Sequence, residues 1–359
     1  VIELPDDCRL AFCVGVGGVG KTTFAAALGL REAMRGKSVL VLTADPARRL
    51  ADALGIRDLR DTPSDVPLPS DRASGELHAA MLETKASADE IIRRAADDDA
   101  RAQRVLDNRI YQAFSNTLSR SHAYAAMERV HEALRSLRYD LVVVDTPPAQ
   151  SSVELLDAPT RLVQFLDQRI VRWFLKGSDD SSQLRSEPLT RRLLRVVAGD
   201  SLVSALTEFL SEMAFLRDGF AQRAGEVRDI MRSSSTEFVL VSSADLLGVE
   251  AADSVADELR ELGFELAHVV FNRAFVPEIS VARQGSMSYP DRLSRLAPKL
   301  ERMRALLIQE QDQKRSNMIG FCNEHGTRAW VLPEATRPLG DTSALAAWIE
   351  QGRPIGPSS

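Results

Sequence analysis

The sequence predicts an α/β protein, with a doubly wound, mostly parallel β-sheet carrying an inserted helical subdomain. Three observations carry that expectation. Six short apolar runs are continuous rather than alternating, the pattern of strands buried on both faces. Helical stretches separate several of them, as strand–helix–strand crossovers require. A glycine-rich turn, residues 15–20, stands between the first run and the first helix.

The elements follow in order. Arg9 to Val14 is an apolar run that ends at Gly15, and Thr22 to about Arg35 is an Ala- and Leu-rich helix closed by Gly36. Strands are expected at Ser38–Leu42, Tyr139–Asp145, Glu237–Val241, Leu266–Asn272 and Ala329–Leu332, with a helix ending near Gly263. Two long helical stretches interrupt this rhythm. The expected organisation is therefore an α/β core of residues 1–85, 138–152 and 233–359, with helical insertions at 86–137 and 153–232. Apolar residues such as Leu162, Phe165, Trp173, Leu202, Leu206 and Phe209 recur at helical spacing in the second insertion. Spacing alone fits either core packing or an apolar surface offered to a partner. Thr62–Ser74 reads as a surface loop, and Gly352–Ser359 as a fraying tail.

Composition narrows the classes of function. The 359 residues carry 45 Lys and Arg against 51 Asp and Glu, a net charge of −6, with 44% hydrophobic and 27% charged residues. Those proportions are ordinary for a globular protein. No apolar run approaches the roughly 18–20 residues of a membrane span. Val1–Asp7 has neither a basic nor an apolar region of a secretory signal, so a cytoplasmic protein is expected. A mildly acidic chain without basic blocks argues against a nucleic-acid partner. Cys8, Cys13 and Cys322 stand in no C-x-x-C spacing and the five histidines are scattered, so no zinc is expected.

The chemistry begins at Gly15-Val16-Gly17-Gly18-Val19-Gly20-Lys21-Thr22-Thr23, which fits G-x-x-x-x-G-K-[ST]. Glycines let successive N–H groups curl around phosphates at a helix N-terminus, where the helix dipole favours anions. Lys21 then supplies a charge for the β- and γ-phosphates, and Thr22 a hydroxyl for Mg²⁺. The same residues also read Gly15-x-Gly17-x-x-Gly20, a dinucleotide fingerprint with Asp45 near the distance at which its acidic residue is expected. Two features favour the phosphate loop. Lys21-Thr22 has no role under a dinucleotide pyrophosphate, and Asp145 ends an apolar strand as a Mg²⁺-holding aspartate does, through water. Asp45 has two readings. Asp45-Pro46 suits a helix N-cap with Pro at N1, while its place after a strand suits a carboxylate that orients water. The catalytic reading is favoured, because active-site carboxylates gather at strand C-termini.

Taken in order, Gly15–Thr23, Asp45-Pro46-Ala47, Asp145-Thr146-Pro147-Pro148 and Asn272 resemble the ArsA-type family of anion-transporting ATPases. That family falls in the deviant-Walker-A class of P-loop NTPases, which also contains ParA/MinD proteins. Its relatives include arsenite-pump ATPases and eukaryotic ATPases that target tail-anchored membrane proteins. The resemblance spans nearly the whole chain, and Asp45-Pro46-Ala47-Arg48-Arg49-Leu50 with Asp145-Thr146-Pro147-Pro148 is closest to the bacterial branch. It implies that Gly15, Gly17, Gly18, Val19, Gly20, Lys21, Thr22 and Thr23 hold the triphosphate, with Mg²⁺ at Thr22 and, through water, Asp145. Asp45 in switch I would orient the attacking water, and Thr146–Gln150 in switch II would sense the γ-phosphate. Asn272 would bond adenine, with backbone near Pro333 and Glu334 completing the base pocket.

Three departures qualify the resemblance. The family's lysine one residue after the first glycine, which reaches the partner's phosphates across a dimer, is Val16 here. The zinc-binding C-x-x-C of the targeting ATPases is absent, as is the cysteine set of the arsenite pumps. The expected function is a cytoplasmic Mg²⁺-dependent ATPase, a nucleotide-gated dimer switching a helical subdomain that binds a hydrophobic client or a membrane-protein partner. The alternative is a poorly hydrolysing regulatory subunit paired with a lysine-bearing paralogue. Arg48 or Arg49 are candidates to replace the missing cation. A ParA-like positioning protein and a small-molecule kinase stand behind these.

Overall fold

The structure is a computed structural model that describes residues 2–45, 49–57, 59–69, 74–82, 98–108, 122–148, 155–157, 222–275 and 296–355, with a few isolated positions between them. Two compact units are present. The first comprises Val1–Leu82, Ala133–Val153 and Met231–Ser359, the second Glu83–Glu132 and Glu154–Ile230.

The first unit is a nine-stranded sheet in the order β3-β4-β2-β5-β1-β6-β7-β8-β9. The apolar runs form β1 (Leu10–Val14), β2 (Ser38–Thr43), β5 (Leu141–Asp145), β6 (Thr236–Ser243), β7 (Leu266–Phe275) and β8 (Ala329–Pro333). These six pair in parallel, as expected of a doubly wound sheet. Every residue of β1 and β5 is buried, which is why their sequences do not alternate. Three strands are additions to the sequence reading. β4 (Glu76–Met81) pairs parallel with β2, and β3 (Ser64–Asp65) pairs antiparallel with β4 inside the segment expected to be a loop. The expected fraying of the tail is also corrected. Arg353–Ile355 form β9, antiparallel to β8, with Ile355 buried and Pro354 on the sheet edge, where a missing N–H is tolerated.

Helices complete the first unit. α1 (Lys21–Met34) is buried along most of its length, and its Ala25-Ala26-Ala27 run lets it lie close to the sheet. α2 (Arg49–Leu54) follows β2. α5 (Leu246–Glu261) is capped by Asp245, whose carboxylate accepts the Gly248 N–H at 2.8 Å. α6 (Ala297–His325) has 29 residues and buries only Met318, Phe321 and Cys322. α7 (Thr342–Ile349) is capped by Asp341 and seats Trp348 so that its indole N–H donates to the Pro333 carbonyl at 3.0 Å. Phe12, Phe238 and Phe264 stack in series through the core, with ring centroids 5.2 and 4.8 Å apart.

The second unit is helical where it is described. It contains α3 (Asp99–Asp107), capped by Asp98 on the Arg101 N–H, and most of α4 (His122–Arg135). Asn108 Nδ2 donates to the Ala205 carbonyl at 3.0 Å, and His131 Nε2 lies 2.8 Å from Glu226 Oε2. The apolar residues from Leu162 to Trp173, with Leu202 and Leu206, lie outside the described residues.

Candidate active site

The sheet order places β1 between β5 and β6, so the chain leaves the carboxyl end of β1 where its two flanking connections part, the position at which open α/β sheets bind ligands. The turn that follows is held from two sides by glycines. Gly15 has φ +143°, and a Cβ there would strike the Val241 carbonyl of β6. Gly20 has φ +93°, and a Cβ there would strike the Asn272 side-chain amide. Asn272 is buried under the loop, donating from Nδ2 to the Val19 carbonyl and accepting the Arg273 N–H at Oδ1, both at 2.8 Å. One amide N–H and one lone pair of Asn272 are left after those bonds. Gly17 and Gly18 are exposed at the tip, where a Cβ on Gly17 would lie 3.8 Å from Pro148 Cβ. Gly20 caps α1 without a side-chain hydrogen bond, so first-turn N–H groups are open to an anion. Thr22 and Thr23 are half-buried in that turn.

Lys21 is only 7% exposed, and its ammonium donates to the Val16 carbonyl at 2.9 Å. Burial pulls its pKa below the ordinary lysine value, against the attraction of Asp145 and Asp45. A buried ammonium held by one neutral carbonyl gains from an anion placed beside it.

Asp145 ends β5 in register with Cys13 of β1 and Thr43 of β2. It is 1% exposed, and burial pushes its carboxyl from 3.8 up to about 6, against the Thr43 and Thr22 hydroxyls and Lys21. Oδ2 accepts the Thr43 hydroxyl at 2.8 Å, whereas Oδ1 is buried with no hydrogen-bond partner among the described residues. The Thr22 hydroxyl is near enough to favour the charge but does not meet Oδ1 at hydrogen-bonding geometry. An orphaned carboxylate oxygen beside a threonine hydroxyl is an oxygen donor set suited to hydrated Mg²⁺. Thr146, the residue after β5, donates its hydroxyl to the Cys13 carbonyl at 2.8 Å.

Asp45 follows β2, with its N–H donating to Thr43 Oγ1 at 3.1 Å and its Oδ2 lying 3.4 Å from Arg49 Nη1. Pro46, Ala47 and Arg48 lie outside the described residues, and the proposed N-cap geometry with them. A cleft of about 490 Å³ opens beside the loop, lined by Val16–Val19 and by Ser243, Asp245, Arg273, Lys314 and Glu334 among others. Glu334 is exposed at this cleft, and Pro333 is buried behind it. Two residues of this neighbourhood escaped the sequence reading. Thr43 shows its role only through the β2–β5 register, and Arg273 carries an uncommon φ of +53°. Elsewhere, folding brings Asp253 of α5 to Glu324 and His325 at the end of α6, with potential ligand atoms within 4.8 Å of one another. There His325 Nε2 pairs with Asp253 at 2.9 Å and an Arg260 guanidinium nitrogen lies 3.2 Å from Nδ1, an arrangement that links the two helices.

Comparison with known proteins fits this geometry. Residues 8–289 match the family described as anion-transporting ATPase, ArsA ATPase. The chain is similar to "ATPase get3" of Aspergillus terreus, with 26% identity over 274 residues, 75% of this chain and 74% of the relative. It is equally similar to "ATPase GET3" of Ajellomyces dermatitidis and of Blastomyces gilchristii, each 26% identical over 271 residues, with the same coverage. These relatives are fungal and lend no support to the placement in a bacterial branch. With the family matched over most of its length and relatives that are ATPases, the chain belongs to the anion-transporting ATPase family and is an ATP hydrolase.

Proposed function

We propose that this chain is a Mg²⁺-dependent, cytoplasmic ATPase that works as a nucleotide-gated dimer and switches a helical subdomain that binds a hydrophobic client or a membrane-protein partner. The observation that carries this reading is the convergence of Lys21, Asp45 and Asp145 at the strand ends, with Asp145 Oδ1 buried and unpaired among the described residues. Lys21 exchanges the Val16 carbonyl for a β- or γ-phosphate oxygen, while the N–H groups of Gly17–Thr22 cradle the chain of phosphates. Thr22 and, through water, Asp145 hold Mg²⁺, which when bound neutralises and orients the phosphates. Asp45 orients the attacking water, with Arg49 beside it to hold the carboxylate in place. Asn272 and the chain near Pro333 and Glu334 serve the base. Loss of the γ-phosphate releases Asp45 and the Thr146–Gln150 run, and that release reshapes the helical insertions at 86–137 and 153–232. Bound zinc forms no part of this scheme.

Asp45→Asn tests the catalytic role. Turnover is expected to fall about 10²-fold or more while ATP affinity by calorimetry survives. Unchanged turnover per bound nucleotide would return Asp45 to a capping role.

Val16 supports a second reading, that of one half of a heterodimer. Each subunit of a symmetric dimer would lack the cation offered across the interface, and such a loss slows phosphoryl transfer on the order of 10³-fold. A lysine-bearing paralogue would complete this chain's site, whereas its own ATP would face Val16. Val16→Lys should then raise the activity of the homodimer. Strong wild-type homodimer activity that Arg48→Ala and Arg49→Ala leave intact would reject both the heterodimer and the replacement cation.

A further inference from the structure

We infer that Thr43 is a positioning residue whose single hydroxyl ties the two carboxylate-bearing strand ends of the site together. Its Oγ1 donates to Asp145 Oδ2 at 2.8 Å and accepts the Asp45 backbone N–H at 3.1 Å. Thr43 is 1% exposed, and its bond to Asp145 is buried away from water. The hydroxyl has one proton, and that proton is committed to Asp145, which leaves its lone pairs for Asp45. The link is built into the sheet. Thr43 and Asp145 are register partners across β2 and β5, and the Ala44 N–H donates to the Asp145 carbonyl at 3.2 Å.

This connection has two chemical effects. By occupying Oδ2 it leaves the buried Oδ1 as the uncommitted oxygen of Asp145, fixing which oxygen of the carboxylate would serve the metal's water. By holding the Asp45 N–H it fixes the point from which switch I departs, so the Asp45 carboxylate swings from an anchored backbone. A carboxylate that must place a water loses rate steeply when its geometry loosens, while the phosphates remain bound by Lys21 and the loop. Thr43 therefore acts on turnover rather than on nucleotide affinity. The β-methyl of threonine packs in the buried sheet, and the hydroxyl alone carries the link.

The inference rests on the catalytic reading of Asp45, and the experiment separates the two. ATP turnover and ATP affinity are measured for wild type, Thr43→Val, Thr43→Ser and Asp45→Asn, with folding checked by circular dichroism. Thr43→Val keeps shape and removes the hydroxyl; kcat should fall on the order of 10–100-fold with ATP affinity changed less than about 3-fold. Thr43→Ser keeps the hydroxyl and should recover activity to within about 3-fold of wild type. If Thr43→Val does not fold, Thr43→Cys, with its weaker S–H donor, is expected to lie between Ser and the loss seen without a donor. Wild-type turnover in Thr43→Val would overturn the role of Thr43 alone, provided that Asp45→Asn is impaired. Equal impairment of the Ser and Val variants would overturn it too, since the hydroxyl would then not be responsible. Wild-type turnover in Asp45→Asn would instead remove the reading on which the inference stands.

Discussion

Replacing Asp145 with asparagine should stabilise the nucleotide-free protein while ending its ATPase activity. Burial holds this carboxyl at about 6 against an ordinary 3.8. At 1.36 kcal/mol per pH unit, that gap corresponds to about 3 kcal/mol of folding free energy lost when the native side chain ionises. The sign follows from proton counting. Between about pH 4 and pH 6 the native carboxyl keeps its proton while the unfolded one has released it, so wild-type stability falls as pH rises through that window. Above pH 6 both forms are ionised and the loss stays constant. Asparagine keeps an acceptor for the Thr43 hydroxyl and has no proton to release, so its advantage is absent near pH 4 and reaches about 3 kcal/mol by pH 7.5. Urea unfolding of both proteins at pH 4.5 and 7.5, without nucleotide or Mg²⁺, measures the difference directly. An asparagine variant less stable than wild type at pH 7.5, or an equal gap at both pH values, would refute a buried and uncompensated carboxylate.

Two further outcomes follow from the loop. Lys21→Ala removes the ammonium now parked on the Val16 carbonyl, and ATP should bind about 10- to 150-fold more weakly by calorimetry, matching a charge-assisted contact. Gly20→Ala places a Cβ against the Asn272 amide at φ +93°; a loss of about 1–3 kcal/mol in urea unfolding is expected, together with weaker ATP binding.

The parallel strands and the glycine-rich loop between β1 and α1 were legible because their signals are local. A strand buried on both faces must be apolar throughout, and a loop around phosphates must be rich in glycine. β4 was missed because Glu76-Leu77-His78-Ala79-Ala80-Met81 carries a histidine in its middle. The partners of the buried His78 come from elsewhere in the chain, Asp65 2.8 Å and Arg138 3.0 Å from its Nε2. α6 was missed for the opposite reason, since most of its length is solvated and shows no sustained apolar stripe. In the site, the motif spacing pointed to Lys21, the ends of two strands to Asp45 and Asp145, and the family resemblance alone to Asn272. Thr43 lies two residues before Asp45, and nothing in the sequence distinguishes it from an ordinary strand-end threonine. Its partner is 102 residues away, and only the strand register brings the two together.

The central place of β1 has a consequence for biosynthesis. β1 pairs only with β5 and β6, both made well after it, through contacts such as Cys13 with Asp145 and Leu10 with Thr236. Until those later segments emerge, Leu10–Val14 is an apolar strand with both edges bare, the kind of surface that chaperones shield from aggregation. The clamp on the phosphate loop closes later still, because Asn272 must arrive to hold Val19. A nascent chain stalled short of residue 272 therefore carries the whole glycine-rich motif without the wedge that shapes it, and the loop takes its final form only once Asn272 has been made.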